Sequence, residues 1–373
     1  AQIGTTIGTT SSMDSSRVSI RALEKNAPAA LDLLSDVVLH PSFPAEEIER
    51  QRARRLTQIV ERRSDPSAAA TTVMAAALYG ASHPYGNTEL GTEASVKSAT
   101  RDDMSAFWKQ NFVPNNAALV VAGAVNAAEL RQLAEHALGG WSKGTPAAPA
   151  LGQPQTTSAK LVLVDLPGTP QTELRVAAIG VPRSTPDYAP LEVMDMILGG
   201  LFSSRINLNL RQDHGYTYGA YALFQYRKGA GPFFVTTGVR TNVTGPAVAE
   251  IFKELSRMQS TPISQAELDL GRDALVRSLP GAFETTQSTV GTISGTYVYD
   301  LGLDYYTKYP AQIGAVTIAS VQDVAKRYLT PGKFVVIAAG DRVKIEPQLK
   351  KLNLGPIEIR DADGNPIAAK RAK

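Results

Sequence analysis

The sequence predicts an α+β fold of two homologous lobes, the first incomplete, each a mostly antiparallel sheet packed with helices. Two internal matches and the composition carry that expectation. Val113-Pro114-Asn115-Asn116 through Gly123 aligns without a gap on Thr330-Pro331-Gly332-Lys333 through Gly340, and each copy reads as a helix end, a Pro-containing turn and an apolar strand closed by glycine. Phe43-Pro44-Ala45-Glu46-Glu47-Ile48 likewise parallels Ile263-Ser264-Gln265-Ala266-Glu267-Leu268, each opening a long charged helix. With 373 residues, 43% hydrophobic and 20% charged, the chain can bury a core in each of two domains.

The repeat length is about 217 residues, so Ala1 falls opposite roughly residue 218, and about sixty residues of the second copy, from Ser158 onward, have no counterpart in the first. The chain is therefore expected to be truncated, beginning on strand-like alternation, and the first lobe (1–142) to lack its N-terminal part. In that lobe Ala45 to Arg63 reads as a helix, with Pro44 in its first turn, where a missing N–H costs nothing. Glu46, Glu47 and Glu49 precede Arg50, Arg52, Arg54 and Arg55, which suits the helix dipole and pairs such as Glu46–Arg50. Ile48, Leu56 and Ile59 form its docking stripe. Gln51 and Gln58, seven apart, share one side and could face an interior cleft or be two plain polar helix residues. The helix end at Phe107 to Phe112 then leads through the turn to the strand ending at Gly123.

A Pro- and Ala-rich stretch, 143–157, reads as a linker. In the second lobe (158–355), Lys160 to Asp165 and Glu173 to Val181 read as strands, and Ala189 to Gly199 and Ser203 to Gln212 as helices. Gly215 reads as the left-handed residue closing the last of these. The alternation Tyr216, Tyr218, Ala220, Ala222 then reads as a strand turning back alongside. Ser264 and Glu267 have the spacing of a capping box. The helix end at Val324 to Leu329 and the strand ending at Gly340 close the lobe, and 356–373 reads as a C-terminal tail.

Composition excludes several functions. The formal charge is +3, partly from Lys370, Arg371 and Lys373 in the tail, which is no nucleic-acid footprint. The absence of cysteine removes disulfides, thiolate metal ligands and a cysteine nucleophile. No run of about eighteen apolar residues exists to span a membrane. The four histidines, His40, His83, His136 and His214, are not spaced to share a helix face, so local histidines hold no zinc. His83, in His-Pro-Tyr-Gly, reads as a surface turn residue. Gly291-Thr292-Ile293-Ser294-Gly295 is not a nucleophile elbow, because its serine is offset. Arg211 and Tyr218 remain as candidates. Brought together, a guanidinium and a phenol can bind a peptide carbonyl and stabilise negative charge developing on its oxygen; otherwise they are a helix-end cation and a packing tyrosine.

Pro41 to Arg52, Tyr79-Gly80 with His83-Pro84-Tyr85-Gly86, Thr100 to Asp103, and Phe112 to Asn116 resemble the later part of the first lobe of the pitrilysin/insulinase zinc peptidases, and Arg211 to Tyr218 resembles their second-lobe signature. The resemblance implies the processing-peptidase/insulinase fold. It implies a His-x-x-Glu-His zinc helix within the absent opening segment, and glutamates at the positions where this chain has Gln51 and Gln58. Amides there imply a lobe that binds zinc poorly, with Glu61, one turn on, a possible substitute. Some bacterial relatives divide the work between a zinc-bearing subunit and a companion supplying the Arg/Tyr pair. This chain resembles the companion: no catalytic or metal-ligating residue of its own, Arg211 and Tyr218 touching a peptide or unfolded-protein substrate, zinc in a homologous partner subunit, a periplasmic location. The alternatives are a fragment of an active zinc metalloendopeptidase and a purely structural core-type scaffold subunit.

Overall fold

A computed structural model describes residues 4–148, 151–158 and 160–367. They form two compact units. One holds residues 4–57, 89–148 and 280–302, and the other 58–88, 151–279 and 303–367.

In the first unit, β1 (Ile7–Ser11) and β2 (Ser16–Ile20) pair as an antiparallel hairpin. Trp108, in helix Arg101–Asn111, donates its indole N–H to Val38 O at 2.8 Å, tying that helix to helix Ala27–Leu39. Arg101 donates to the carbonyls of Ser42 and Phe43, each at 3.1 Å, and fixes the entry to helix Ala45–Ser64. Arg50 pairs with Glu47 one turn back rather than with the expected Glu46. The strand expected at Ala117 to Ala122 does not form. Among the described residues β1 and β2 make this unit's one ladder, and residues 117–122 pair with neither. Its Leu119 and Val121 stay exposed.

The second unit is built on a six-stranded mixed sheet. Its strands are β3 (Leu161–Asp165), β4 (Gln171–Ile179), β5 (Thr217–Phe224), β6 (Pro232–Arg240), β7 (Val335–Gly340) and β8 (Ile357–Arg360), in the order β5-β6-β4-β7-β3-β8. β4 runs antiparallel to β6 and β7, β5 antiparallel to β6, and β3 parallel to β7 and β8. Side-chain alternation divides the two faces. Leu174, Val176, Val336 and Ala338 join the core shared with helices Tyr188–Asp195, Thr244–Ser260 and Ile318–Tyr328.

Arg175, Ala177, Val335 and Ile337 are buried on the opposite face, against helix Pro66–Tyr79. Asp65 caps that helix by accepting from Ala68 N at 2.8 Å. Ala69, Ala70, Val73, Met74, Ala77 and Leu78 are all buried, so the helix is apolar around most of its circumference and needs a partner surface on more than one side. Arg175, inside the sheet, donates to Ser67 Oγ at 2.8 Å and to its own neighbour's carbonyl.

Several expectations are revised here. Residues 58–88 lie in the second unit rather than in a lobe bounded by 1–142, because the sheet supplies the apolar face their helix requires. The stretch 356–373 is not simply a tail. Ile357–Arg360 is the edge strand β8, and Asp363 pairs with Arg62 and Arg63 at 2.8 and 2.7 Å. The end of the expected linker is hydrogen-bonded too, Gln155 and Thr157 donating to the carbonyls of Tyr79 and Ala77. His83 is buried, not at the surface. Its Nδ1 accepts from Tyr85 N at 3.0 Å, and its ring packs against those of both Tyr79 and Tyr85.

Candidate functional site

The site candidates Arg211 and Tyr218 flank a chain reversal at the edge of the six-stranded sheet. Helix Tyr188–Asp195 continues into a π-helical stretch, Met196–Gly200, and a second π-helical stretch, Leu208–Asp213, follows the short helix Arg205–Asn207. The expected regular helices over 189–199 and 203–212 thus widen at their ends, and Arg211 sits on the second widened turn. Buried Ile206 and Leu210 anchor that turn. Asn207 pins it to the strand, its Oδ1 accepting from Ala220 N at 3.0 Å. Gly215 closes the turn at φ +61°, as expected, with its N–H on Arg211 O and the Tyr216 N–H on Leu210 O at 2.8 Å.

β5 departs from simple alternation. A register irregularity between Thr217 and Ala220 leaves Ala220 and Ala222 buried while Tyr218 stands 88% exposed, so Tyr218 does not share the face of Ala220 as the sequence suggests. Hydroxyls hold the irregularity in place. Thr217 Oγ1 accepts from Gly219 N at 3.1 Å and lies 2.8 Å from Gly238 O, while Thr237 Oγ1 reaches Gly219 O at 3.0 Å. Tyr221, also exposed, lays its ring over Gly219, where an added Cβ would come within 3.3 Å of it. Two features of the helix fix the strand's height. Gly199 allows contact, since a Cβ there would lie 2.1 Å from Ala222 N, and buried Asp195 accepts from Phe224 N.

The guanidinium of Arg211 stacks 4.4 Å from the exposed ring of Phe202. Among the described residues neither Arg211 nor Tyr218 makes a side-chain hydrogen bond or ion pair, with each other or with anything else. The structure therefore places the two on adjoining segments, presents both to solvent and leaves every one of their side-chain donors free. Phe202 and Tyr221 escape the sequence reading. Tyr221 would have fallen on the opposite face from Tyr218 in a regular strand, and nothing local marks Phe202.

Gln51 and Gln58 both lie on helix Ala45–Ser64, Gln51 exposed and Gln58 half-buried, and Glu61 is exposed one turn on. An amide oxygen is a neutral and weaker zinc ligand than a carboxylate. Among the described residues no three His, Asp or Glu side chains are grouped as metal ligands. These residues do not fit a zinc ion. No helix among them is long and apolar enough to cross a membrane.

The chain matches two descriptions of one peptidase family in succession: "Insulinase (Peptidase family M16)" over residues 1–93, and "Peptidase M16 inactive domain" over residues 98–275. The chain belongs to the M16 peptidase family. Its M16 relatives differ in what they are called. An "Uncharacterized zinc protease" of Mycobacterium bovis is 26% identical over 338 residues, spanning 88% of this chain and 76% of that protein. A "Non-peptidase homolog YmxG" of Helicobacter pylori is 23% identical, spanning 84% of this chain and 72% of that one. Among solved structures, a peptidase M16 inactive domain from Pseudomonas fluorescens matches with a TM-score of 0.85 and 25% identity, over 91% of this chain and 81% of that chain. The α+β architecture expected from the sequence is the one this M16 structure shares.

Proposed function

We propose that this chain is the substrate-binding, non-catalytic subunit of an M16 zinc peptidase, working with a homologous zinc-bearing subunit in the periplasm. One observation carries the reading: Arg211 and Tyr218 are held by a stapled strand and a pinned turn, yet among the described residues no group uses their donors. A buried scaffold gains nothing from an exposed guanidinium and phenol kept in place this way. A peptide carbonyl does, accepting from both, and would find them already oriented. The zinc belongs to the partner, because glutamines occupy the positions Gln51 and Gln58.

The name of the mycobacterial relative favours a second reading, in which the chain is part of an active zinc metalloendopeptidase. Incubation of the purified chain with a quenched fluorescent peptide library and zinc separates the two. The subunit reading expects no cleavage alone and cleavage on adding a zinc-bearing homologue, reduced by Arg211→Ala. Cleavage by the chain alone, abolished by chelator, overturns it. Full activity of the complex with Arg211→Ala identifies a structural scaffold instead.

A further inference from the structure

Phe202 is 66% exposed and stands outside the hydrophobic core of the second unit, so burial does not account for its place in the fold. Its backbone is nonetheless fixed. Asn207, buried, donates from Nδ2 to Phe202 O at 2.6 Å, and Ser204 N donates to Leu201 O at 3.0 Å. Just beyond, buried Arg205 is clamped by Glu267 of helix Gln265–Ser278 at 2.6 and 3.0 Å. The Oδ1 of the same Asn207 accepts from Ala220 N, so one buried amide ties the Phe202 loop to β5, the strand that carries Tyr218.

Arg211 is set at its backbone, where its carbonyl accepts from Gly215 N at 3.1 Å and the preceding Leu210 is buried. Its side chain is exposed and long, and such an arginine samples many rotamers unless something restrains it. Among the described residues the restraint is the ring of Phe202, with the guanidinium carbon 4.4 Å from the ring centre. The chemistry of that contact matters. A carboxylate holds a guanidinium by taking its in-plane N–H donors, and it cancels the charge as well. An aromatic ring attracts the cation through its quadrupole and stacks on the flat face, which leaves the in-plane donors and the charge available.

We propose that Phe202 is a positioning residue for Arg211. Its ring holds the guanidinium in one place while keeping the N–H donors free for a peptide carbonyl, and Asn207 keeps that ring in register with the strand of Tyr218. The service to a peptide rests on the substrate-binding reading of Arg211; the restraint itself does not.

Two measurements test the proposal, with Phe202→Leu removing the aromatic face and Phe202→Trp keeping it. Both variants are expected to fold, because the position is outside the core. In the whole chain without a partner, nuclear spin relaxation of the Arg211 Nε–H, identified as the signal lost in Arg211→Ala, should show a restrained group in the parent and Phe202→Trp and a mobile one in Phe202→Leu. In the complex with a zinc-bearing homologue, Phe202→Leu should lower kcat/KM for a quenched fluorescent peptide by about two- to fivefold, the worth of an exposed cation–π contact. Phe202→Trp should match the parent, and Phe202→Leu should cost nothing further in an Arg211→Ala background, since the ring acts through the guanidinium. An equal loss from Phe202→Leu in both backgrounds overturns the proposal. A guanidinium as mobile in the parent as in Phe202→Leu overturns it too, with the substrate-binding reading intact. A restrained guanidinium beside full turnover by Arg211→Ala overturns that reading instead, and the positioning role with it.

Discussion

Asp195 Oδ2 accepts the backbone N–H of Phe224 at 2.7 Å, so a fully buried carboxyl of helix Tyr188–Asp195 is bonded to the strand that carries Tyr218. Burial first, and then the neighbouring Glu192, pushes the Asp195 carboxyl well above its ordinary value. Glu192 is raised as well, chiefly by burial, with Tyr188, Tyr226 and Arg183 pulling the other way. A carboxyl protonated when folded and ionised when unfolded must take up a proton on folding, so stability is lost as pH rises above the unfolded value near 3.8. Asp195→Asn keeps the acceptor for Phe224 and removes the proton uptake. Its melting temperature should match the parent near pH 4 and exceed it by a few degrees at pH 8, since about 1 kcal/mol moves a domain of this size by about 2–4 °C. Calorimetric scans across that range check the difference.

Glu267 shows the opposite sign. Burial alone would raise its carboxyl, but hydrogen bonds from Arg205 and then Ser264 outweigh burial and hold it at about 2, below the ordinary 4.5. The stabilisation is therefore complete above about pH 4.5 and disappears as pH falls through about 2. Glu267→Gln leaves buried Arg205 without its counter-charge, expected to cost about 3–5 kcal/mol at pH 7. Urea titrations at pH 7 and pH 3 should show the gap to the parent narrowing in acid.

Gly199→Ala tests the close approach of helix and strand. No rotamer relieves a Cβ placed 2.1 Å from a backbone nitrogen, so β5 must shift. A stability loss of about 1–3 kcal/mol or more is expected in urea. Because Tyr218 rides on that strand, peptide turnover by the complex with the zinc-bearing homologue should fall with it.

Arg211→Ala and Tyr218→Phe should separate function from folding. Both side chains are solvent-facing and unbonded, so melting temperatures should stay within about 1–2 °C of the parent. Turnover by the complex, measured as kcat/KM, should drop by about 10²–10³-fold for Arg211→Ala, the range for losing one donor to a developing oxyanion.

How much of this was legible beforehand depended on how local the cause was. The capping box of Ser264 and Glu267 forms as its spacing indicates, with reciprocal bonds of 3.2 and 2.8 Å, and Gly215 adopts the left-handed turn its position suggests. Both are decided within a few residues. The direction of Tyr218 is not: it depends on Thr237, a strand away, bonding to Gly219 and Thr217. His83 looks like a turn residue because its sequence neighbours are turn-formers, while its burial comes from the aromatic rings of Tyr79 and Tyr85. The repeat revealed the architecture of the second unit but not that residues 58–88 pack into it, since an apolar helix does not name the sheet it will cover.

The destination of helix Pro66–Tyr79 has a consequence for biosynthesis. The ribosome finishes this helix long before it makes β4, and longer still before β7, the two strands that cover it. At about 5–20 residues per second the wait for β7 is roughly 10–50 s. During that interval a nascent apolar segment is exposed without its cover, which makes it a natural target for chaperones that hold emerging chains. β3, whose flanking strands β7 and β8 are both translated after it, cannot be enclosed until residue 360 has left the exit tunnel.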